Sequence, residues 1–428
     1  MEKHFGTDGI RGIVGQDFTP NYIFDIASAV TFVCQPKRVV IGWDTRASCD
    51  FIVNVFAGVL AGLGVKVLKV GIVPTAALSF LTNKLSADIG VMVTASHNDY
   101  TYNGIKLFAS SGEKMNDQTT QKINKLIGMR CDCKRITADK VGKITDNNRA
   151  IKYWHRFLIK QFSINKEFRI AIDCAYGSGF GCAQDVMKGL GVNATLFNTE
   201  HNGININHDC GATKPAYLRY KMLNGNYDVG FAFDGDADRC VVFDEHGNAI
   251  HGDVLIYILA KHLKADKIAT TILFNLGVQK ELEKQGIQII KTDVGDRHIY
   301  AAIKQYELKL GGETSGHIIM PDRWCSGDGL MVALVVLSIM KQSGKKLSEL
   351  VHGIKLYPQI NRNIPATQVQ KQKIKPYIKM RQCGCATYKI IVRPSGTENL
   401  IRITVEGNNL AECELLANQI ILEIKAQL

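Results

Sequence analysis

The stretch Ile89-Gly90-Val91-Met92-Val93-Thr94-Ala95-Ser96-His97-Asn98 opens as an unbroken apolar run and closes as a polar loop. A short apolar run bounded by a polar turn is the pattern of a strand covered on both faces. Strands of that kind belong to layered α/β folds. Ser96 sits where the strand runs out, which in parallel sheets is the usual edge for chemistry. The pattern recurs on both sides. Val39-Val40-Ile41-Gly42 reads as a strand followed by the polar turn Asp44-Thr45-Arg46, a helix from Phe51 to Leu63, and an alternating strand from Val65 to Val70. It restarts at Phe168 to Asp173, and again at Lys267 to Ile272 after a helix from Asp253 to Leu263. Three successive α/β units are therefore expected. The end differs: strands Tyr388–Val392 and Leu400–Glu406 flank a polar loop, and a helix runs from Leu410 to Ala426, which makes a smaller α+β unit. Joints near Asn148, His246 and Leu356 divide the chain into units 1–148, 149–246, 247–356 and 357–428.

A chain of 428 residues exceeds what one core supports. At 46% hydrophobic and 21% charged residues it reads as an ordinary globular protein. The net charge of +12 suits anionic partners. Its lysines and arginines are scattered, with no basic helix or aromatic-interleaved patch, so a small phosphorylated molecule is favoured over nucleic acid. The twelve cysteines are dispersed, and the Cys131/Cys133 and Cys383/Cys385 pairs lack zinc spacing, so reduced, mostly buried thiols are expected. The apolar run from Gly329 to Met340 is too short to span a bilayer and reads as a buried helix. With no apolar signal core at the N-terminus, a cytoplasmic protein with no membrane partner is expected.

The chemistry lies in a few loops. Asp234, Asp236 and Asp238 alternate after the apolar strand Val229–Phe233, with Arg239 behind them. Alternate residues of an extended chain face one side. Three carboxylates converging there repel one another unless they bind a cation, and an all-oxygen set suits Mg²⁺. An EF-hand would want Gly at Arg239 and a helix afterwards, whereas Cys240–Phe243 is a strand; Glu245 falls at that loop's last-ligand spacing by chance. A haloacid-type phosphatase would use Asp234 as nucleophile, in a pattern ending in Thr or Val where this chain has Asp238. An acidic turn between strands is the plainer alternative. Ser96 is a weak nucleophile without help, and His97, Arg11 and Lys106 are the candidate helpers. In Gly311–His317, Glu313 and Ser315 can bond sugar hydroxyls, and His317 can do so or move protons. Arg393-Pro394-Ser395-Gly396-Thr397-Glu398 carries the groups of a phosphate nest, with a hairpin turn as the competing reading.

Taken in order, Phe5–Gly12, Thr94–Asn98, Asp234–Arg239, Gly312–His317 and Arg393–Glu398 resemble the signature segments of the α-D-phosphohexomutase family, in particular its bacterial members that act on glucosamine phosphate. Asn103–Lys106, Val294–Arg297, Tyr357–Gln359 and Leu400–Arg402 match as well, so the resemblance spans the chain. It implies three similar α/β domains with mixed sheets and a C-terminal α+β domain akin to the TATA-binding-protein fold, around a central cleft. It implies a phosphorylated Ser96, with one Mg²⁺ held by Asp234, Asp236, Asp238 and the phosphoserine oxygen. Arg11, Lys106 and Arg239 would surround the transferring phosphate. Glu313 and Ser315 would grip the sugar, and Arg393, Ser395, Gly396 and Thr397 would hold the distal phosphate. The implied reaction interconverts glucosamine 6-phosphate and glucosamine 1-phosphate through glucosamine 1,6-bisphosphate, a step toward cell-wall nucleotide sugars. Family members often form homodimers through the first domain.

Asp99, Tyr102, Trp43 and Thr314 depart from the family pattern. Asp99 is expected to add negative charge near the phosphoserine, and Thr314 loosens the choice of sugar. A sister mutase acting on glucose or mannose phosphates, a sugar-phosphate hydrolase and a non-catalytic sugar-phosphate sensor are the competing readings.

Overall fold

The computed structural model describes residues 5–6, 8–129, 136–374, 387–395 and 399–427. Cys131, Cys133, Cys383, Cys385, Gly396 and Thr397 lie outside them. Four sheets organise the described chain. The first contains β1 (Ile10–Ile13), β2 (Arg38–Trp43), β3 (Lys66–Ile72), β4 (Ile89–Val93), β5 (Tyr102–Ala109) and β6 (Ile144–Asp146), in the order β1-β5-β4-β2-β3-β6. β2, β3, β4 and β6 run parallel, while β5 lies antiparallel between β4 and β1. Every residue of β4 is buried, as its continuous apolar run requires.

The second sheet contains β7 (Ile170–Asp173), β8 (Ala194–Phe197), β9 (Val229–Phe233), β10 (Cys240–Phe243) and β11 (Ala249–Ile250), ordered β11-β10-β9-β7-β8. The third contains β12 (Lys267–Thr271), β13 (Gln288–Thr292), β14 (Gly311–Gly312) and β15 (Ile318–Ile319), ordered β13-β12-β14-β15. Both mix parallel and antiparallel pairs. The fourth is a fully antiparallel sheet of β16 (Gln359–Pro365), β18 (Leu400–Gly407) and β17 (Tyr388–Pro394), backed by the helix Leu410–Gln427.

The first three units are locked together by apolar packing. One core runs continuously from Val40 and Phe80 through Trp154 and Phe231 to Leu259 and Leu337. At its centre Phe80 packs against Trp154, Phe157 and Trp324, with ring centroids 4.8–5.1 Å apart. Trp324 Nε1 also donates to Ser79 Oγ (2.8 Å). The helix Gly329–Ser343 is buried nearly all round, as its sequence predicts. Asp328 caps its start by accepting from Leu330 N (2.9 Å), and Gly344 ends it in the left-handed region. The fourth unit has its own core, from Ile360 to Ile424, and joins the rest through polar contacts. Asn275 bonds both Tyr357 N and O, and Lys389 Nζ donates to Phe274 O. No described helix is long and apolar enough to cross a membrane. The eight described cysteines are free thiols, six of them buried.

Candidate active site

Ser96 follows directly from β4, with its backbone at φ +51, a left-handed conformation that costs a non-glycine residue energy. Buried polar groups hold it there. Arg46 donates to Ser96 O (3.1 Å), Asn98 O (2.8 Å), Tyr102 O (3.0 Å) and Asp99 O, and it pairs with Asp44 at 2.9 Å. Asp44 in turn accepts from Thr94 Oγ1 (2.7 Å), whose oxygen receives Ser96 N (2.9 Å). Asn207 of the second unit bonds Ser96 O and Asn98 O, each at 2.9 Å. The Asp44-Thr45-Arg46 stretch reads as a polar turn in the sequence, and Arg46 is 2% exposed. The signal that could have marked it is a guanidinium placed directly after an apolar strand.

The acidic loop between β9 and β10 meets this turn. A Cβ on Gly235 would lie 2.7 Å from Ser96 O, so only glycine permits the approach. Ser96 Oγ donates to Asp234 Oδ2 at 2.7 Å and lies 3.3 Å from His97 Nδ1. Asp234, Asp236 and Asp238 are buried, and each offers a carboxylate oxygen within 4.8 Å of the others'. Lys106 Nζ contacts Asp236 Oδ2 (2.8 Å) and Asp238 Oδ2 (2.9 Å), and Thr75 Oγ1 donates to Asp236 Oδ2 (2.6 Å). Asp236 Oδ1 and Asp238 Oδ1 are buried without a hydrogen-bond partner. Orphaned buried carboxylate oxygens are costly unless something cationic completes them. The donor set is all oxygen, so the residues fit a hard divalent cation.

Electrostatics divide the three acids. Burial, then the neighbouring Asp238 and Asp236, push the Asp234 carboxyl well above the usual range. Burial also works to raise Asp238, but Lys106 and then His317 overcome it and hold Asp238 low. Lys106 stays firmly protonated: burial opposes its charge, and Asp236, Asp238 and Asp8 outweigh that. Burial, with Arg239 and Arg11 nearby, pushes His97 down to about 4, so it faces Ser96 as a neutral ring at physiological pH.

Above the triad opens a cleft of about 430 Å³ lined by Arg11, His97, Asp238, Arg239, Glu313 and His317 among others. Arg11 donates to Asn98 Oδ1 (3.0 Å) and to Asp8. Glu313 Oε1 accepts from Gly295 N (3.0 Å). His317 is 5% exposed, with Nε2 3.8 Å from Asp296 Oδ2. Ser315 is exposed on the same loop and does not line the cleft. Arg393 lies in β17, directly opposite Arg402 in β18, and burial and then Arg402 push its pKa down. Two guanidiniums facing each other across a sheet repel, and the nearby Asp293 acts the other way on Arg393. Ser395 is buried, with its N–H on Leu400 O and its carbonyl accepting from Lys371 Nζ.

One residue absent from the sequence reading, Lys114, completes the rim. Lys114 bridges Asp8 (2.7 Å) and Asp296, and so ties the first unit to the third. Lys114 is found only by contact, because it is an isolated charge outside every segment the sequence singles out. Asp99 is exposed, and its carboxylate accepts from Thr101 N (2.9 Å) and Thr101 Oγ1 in its own turn.

Comparison with known proteins finds four family domains in this chain. Residues 2–130, 152–247, 251–357 and 387–423 match, in order, the α/β/α domains I, II and III and the C-terminal domain of phosphoglucomutase/phosphomannomutase. The phosphoglucosamine mutase of Clostridium kluyveri is 37% identical over 449 residues, covering 99% of this chain and 100% of that protein. A phosphoglucomutase/phosphomannomutase family protein from Burkholderia thailandensis superposes with TM-score 0.85 at 21% identity, covering 99% of this chain and 97% of that one. The N-acetylphosphoglucosamine mutase of Aspergillus fumigatus, solved with GlcNAc-6P and magnesium, gives TM-score 0.66 at 17% identity over 97% of this chain and 94% of that one. With all four units matched in sequence and a relative aligned over the whole length, the chain belongs to the phosphoglucomutase/phosphomannomutase family of α-D-phosphohexomutases.

Proposed function

We propose that this chain interconverts glucosamine 6-phosphate and glucosamine 1-phosphate through a phosphorylated Ser96 and glucosamine 1,6-bisphosphate. The observation that carries the reading is the bond from Ser96 Oγ to Asp234 Oδ2 (2.7 Å), at the edge of a buried acid triad with two orphaned oxygens. A hydroxyl, a cation site and nearby positive side chains are the requirements of phosphoryl transfer through a covalent phosphoserine. The name of the full-length relative supports glucosamine phosphate as the substrate.

In the forward transfer, the sugar C1 hydroxyl attacks phosphorus and the bond to Ser96 Oγ breaks. His317 is the group proposed to take the hydroxyl proton. Arg11 and Arg239 balance charge on the transferring oxygens, and Glu313 orients the ring. In the return transfer, Ser96 Oγ attacks the 6-phosphate, the bond from phosphorus to the sugar C6 oxygen breaks, and that oxygen takes the proton held by His317, while the serine proton is already directed at Asp234 Oδ2. Mg²⁺ held by Asp234, Asp236, Asp238 and the phosphoserine oxygen would neutralise phosphate charge when bound. The opposed Arg393 and Arg402 support a second phosphate site, which a bisphosphate that turns around requires. Gly396 and Thr397 are assigned to that site by resemblance alone.

The test is a side-by-side assay of glucosamine, glucose and mannose 6-phosphates with their 1,6-bisphosphates as activators. The highest kcat/KM is expected with glucosamine 6-phosphate. Phosphate release without isomer formation would instead mark a hydrolase.

A further inference from the structure

Asp253 is fully buried at the start of the helix Gly252–His262, away from the acid triad, and the mechanism does not use it. Its two oxygens face different parts of the molecule. Oδ1 accepts from Thr314 Oγ1 (2.8 Å), in the loop that carries Glu313 and His317. Oδ2 accepts from Asn275 N (2.7 Å), at the cap of the helix Leu276–Lys284. Asn275 is itself buried, and its side chain both caps its helix, with Oδ1 accepting from Gly277 N (3.0 Å), and holds the segment entering the fourth unit, with Nδ2 donating to Tyr357 O (2.9 Å) and Oδ1 accepting from Tyr357 N (3.1 Å). The next amide, Leu276 N, donates to Glu406 in β18 of the fourth unit. Glycine makes the near end close: a Cβ on Gly252 would lie 2.1 Å from Thr314 O, so this helix start and the loop pack backbone to backbone.

A continuous chain of hydrogen bonds, buried at Asp253 and Asn275, thus runs from the exposed Thr314 beside Glu313 to the joint of the fourth unit. The fourth unit has a separate core and carries Arg393 and Ser395, so motion about this joint would decide when its loop meets a phosphate. From this geometry we infer that Asp253 is a positioning residue, and that the Thr314–Asp253–Asn275 relay couples the sugar-contacting loop to closure of the fourth unit. The inference rests on the function proposed above for what closure accomplishes. The mechanical link itself is a property of the chain without ligand.

Thr314→Val keeps the shape of the side chain but leaves Asp253 Oδ1 buried without its donor, and Thr314→Ser restores the donor. Hydrogen exchange of the full-length, ligand-free protein is read on peptides covering residues 272–278 and 354–358. About threefold or faster exchange in Thr314→Val, and native exchange in Thr314→Ser, is expected on these peptides, while peptides of the β4 core exchange as in the native protein. With glucosamine 6-phosphate, kcat should fall about tenfold in Thr314→Val and recover in Thr314→Ser, while KM stays within about threefold. Equal exchange in all three proteins overturns the relay. Faster exchange with an unchanged kcat overturns its coupling to catalysis. If the native protein turns over none of the sugar phosphates, the functional reading fails, and the exchange measurement alone decides the relay.

Discussion

Replacing Lys106 by Met removes the only ammonium that touches both Asp236 and Asp238 among the described residues. The two contacts, at 2.8 and 2.9 Å, are each worth about 6 kcal/mol by Coulomb's law at an effective dielectric of ~20. Most of that is offset by the desolvation of Lys106 itself. Breaking a buried pair by deleting one partner typically costs about 3–5 kcal/mol. Two features place this case near the lower end. Arg239 Nε remains 4.0 Å from Asp238 Oδ1, and carboxyl groups left without a counter-charge can take up protons. A loss of about 3 kcal/mol, spread over the large joint body of the first three units, corresponds to a melting temperature roughly 3–6 °C lower near neutral pH with chelator present. Magnesium should raise the melting temperature of Lys106→Met more than that of the native protein, because the ion meets carboxylates that no ammonium already occupies; saturation at a hundred times Kd stabilises by about 2.7 kcal/mol. Lowering the pH should narrow the gap between variant and native protein in chelator, since protonated carboxyls need no counter-ion. Differential scanning calorimetry with and without magnesium is the assay. Equal melting of variant and native protein in chelator, or an equal magnesium response, would refute the charge balance argued here.

Ser96→Ala should lower mutase turnover by orders of magnitude while glucosamine 6-phosphate still binds by calorimetry, and near-native turnover would contradict the covalent route. Intact-mass measurement of the native protein, before and after phosphatase treatment, should show one removable phosphoryl group on part of the population. A Cβ on Gly327 would lie 2.0 Å from His317 Nε2, so Gly327→Ala should displace the imidazole. The expected result is kcat lowered by about tenfold or more, with about 1–3 kcal/mol of overpacking cost in urea melts; unchanged kcat would remove His317 from the proton step. His155 is buried against Cys182 Sγ (3.3 Å) and Asp185 (3.2 Å), and burial, outweighing Asp185, lowers its pKa. The unfolded chain therefore binds this proton from about pH 6.5 downward while the folded chain resists it, so its contribution is full above that pH and declines as pH falls. His155→Gln should flatten the decline in urea melts below about pH 6.5, and an unchanged slope would contradict the assignment.

What the sequence by itself determined is local. The apolar runs at Ile89–Val93 and Val229–Phe233 predict buried strands, and their polar ends place Ser96 and the three aspartates on loops at strand ends, because strand burial and alternation are short-range patterns. The helix at Gly329–Ser343 is legible for the same reason. Only the tertiary structure decided how these pieces meet. Arg46 reads only as part of a polar turn and Lys114 carries no signal in the sequence, yet one is buried beneath Ser96 and the other joins two units across the cleft. Asp99 reads as a charge close to the phosphoserine, and its carboxylate turns instead to Thr101. Thr314 reads as a change in sugar preference, and its hydroxyl is bonded to a buried acid 61 positions away. A buried polar group takes its partner from whatever the packing of separate units brings within reach, and residues far apart in sequence leave no periodic trace of that encounter.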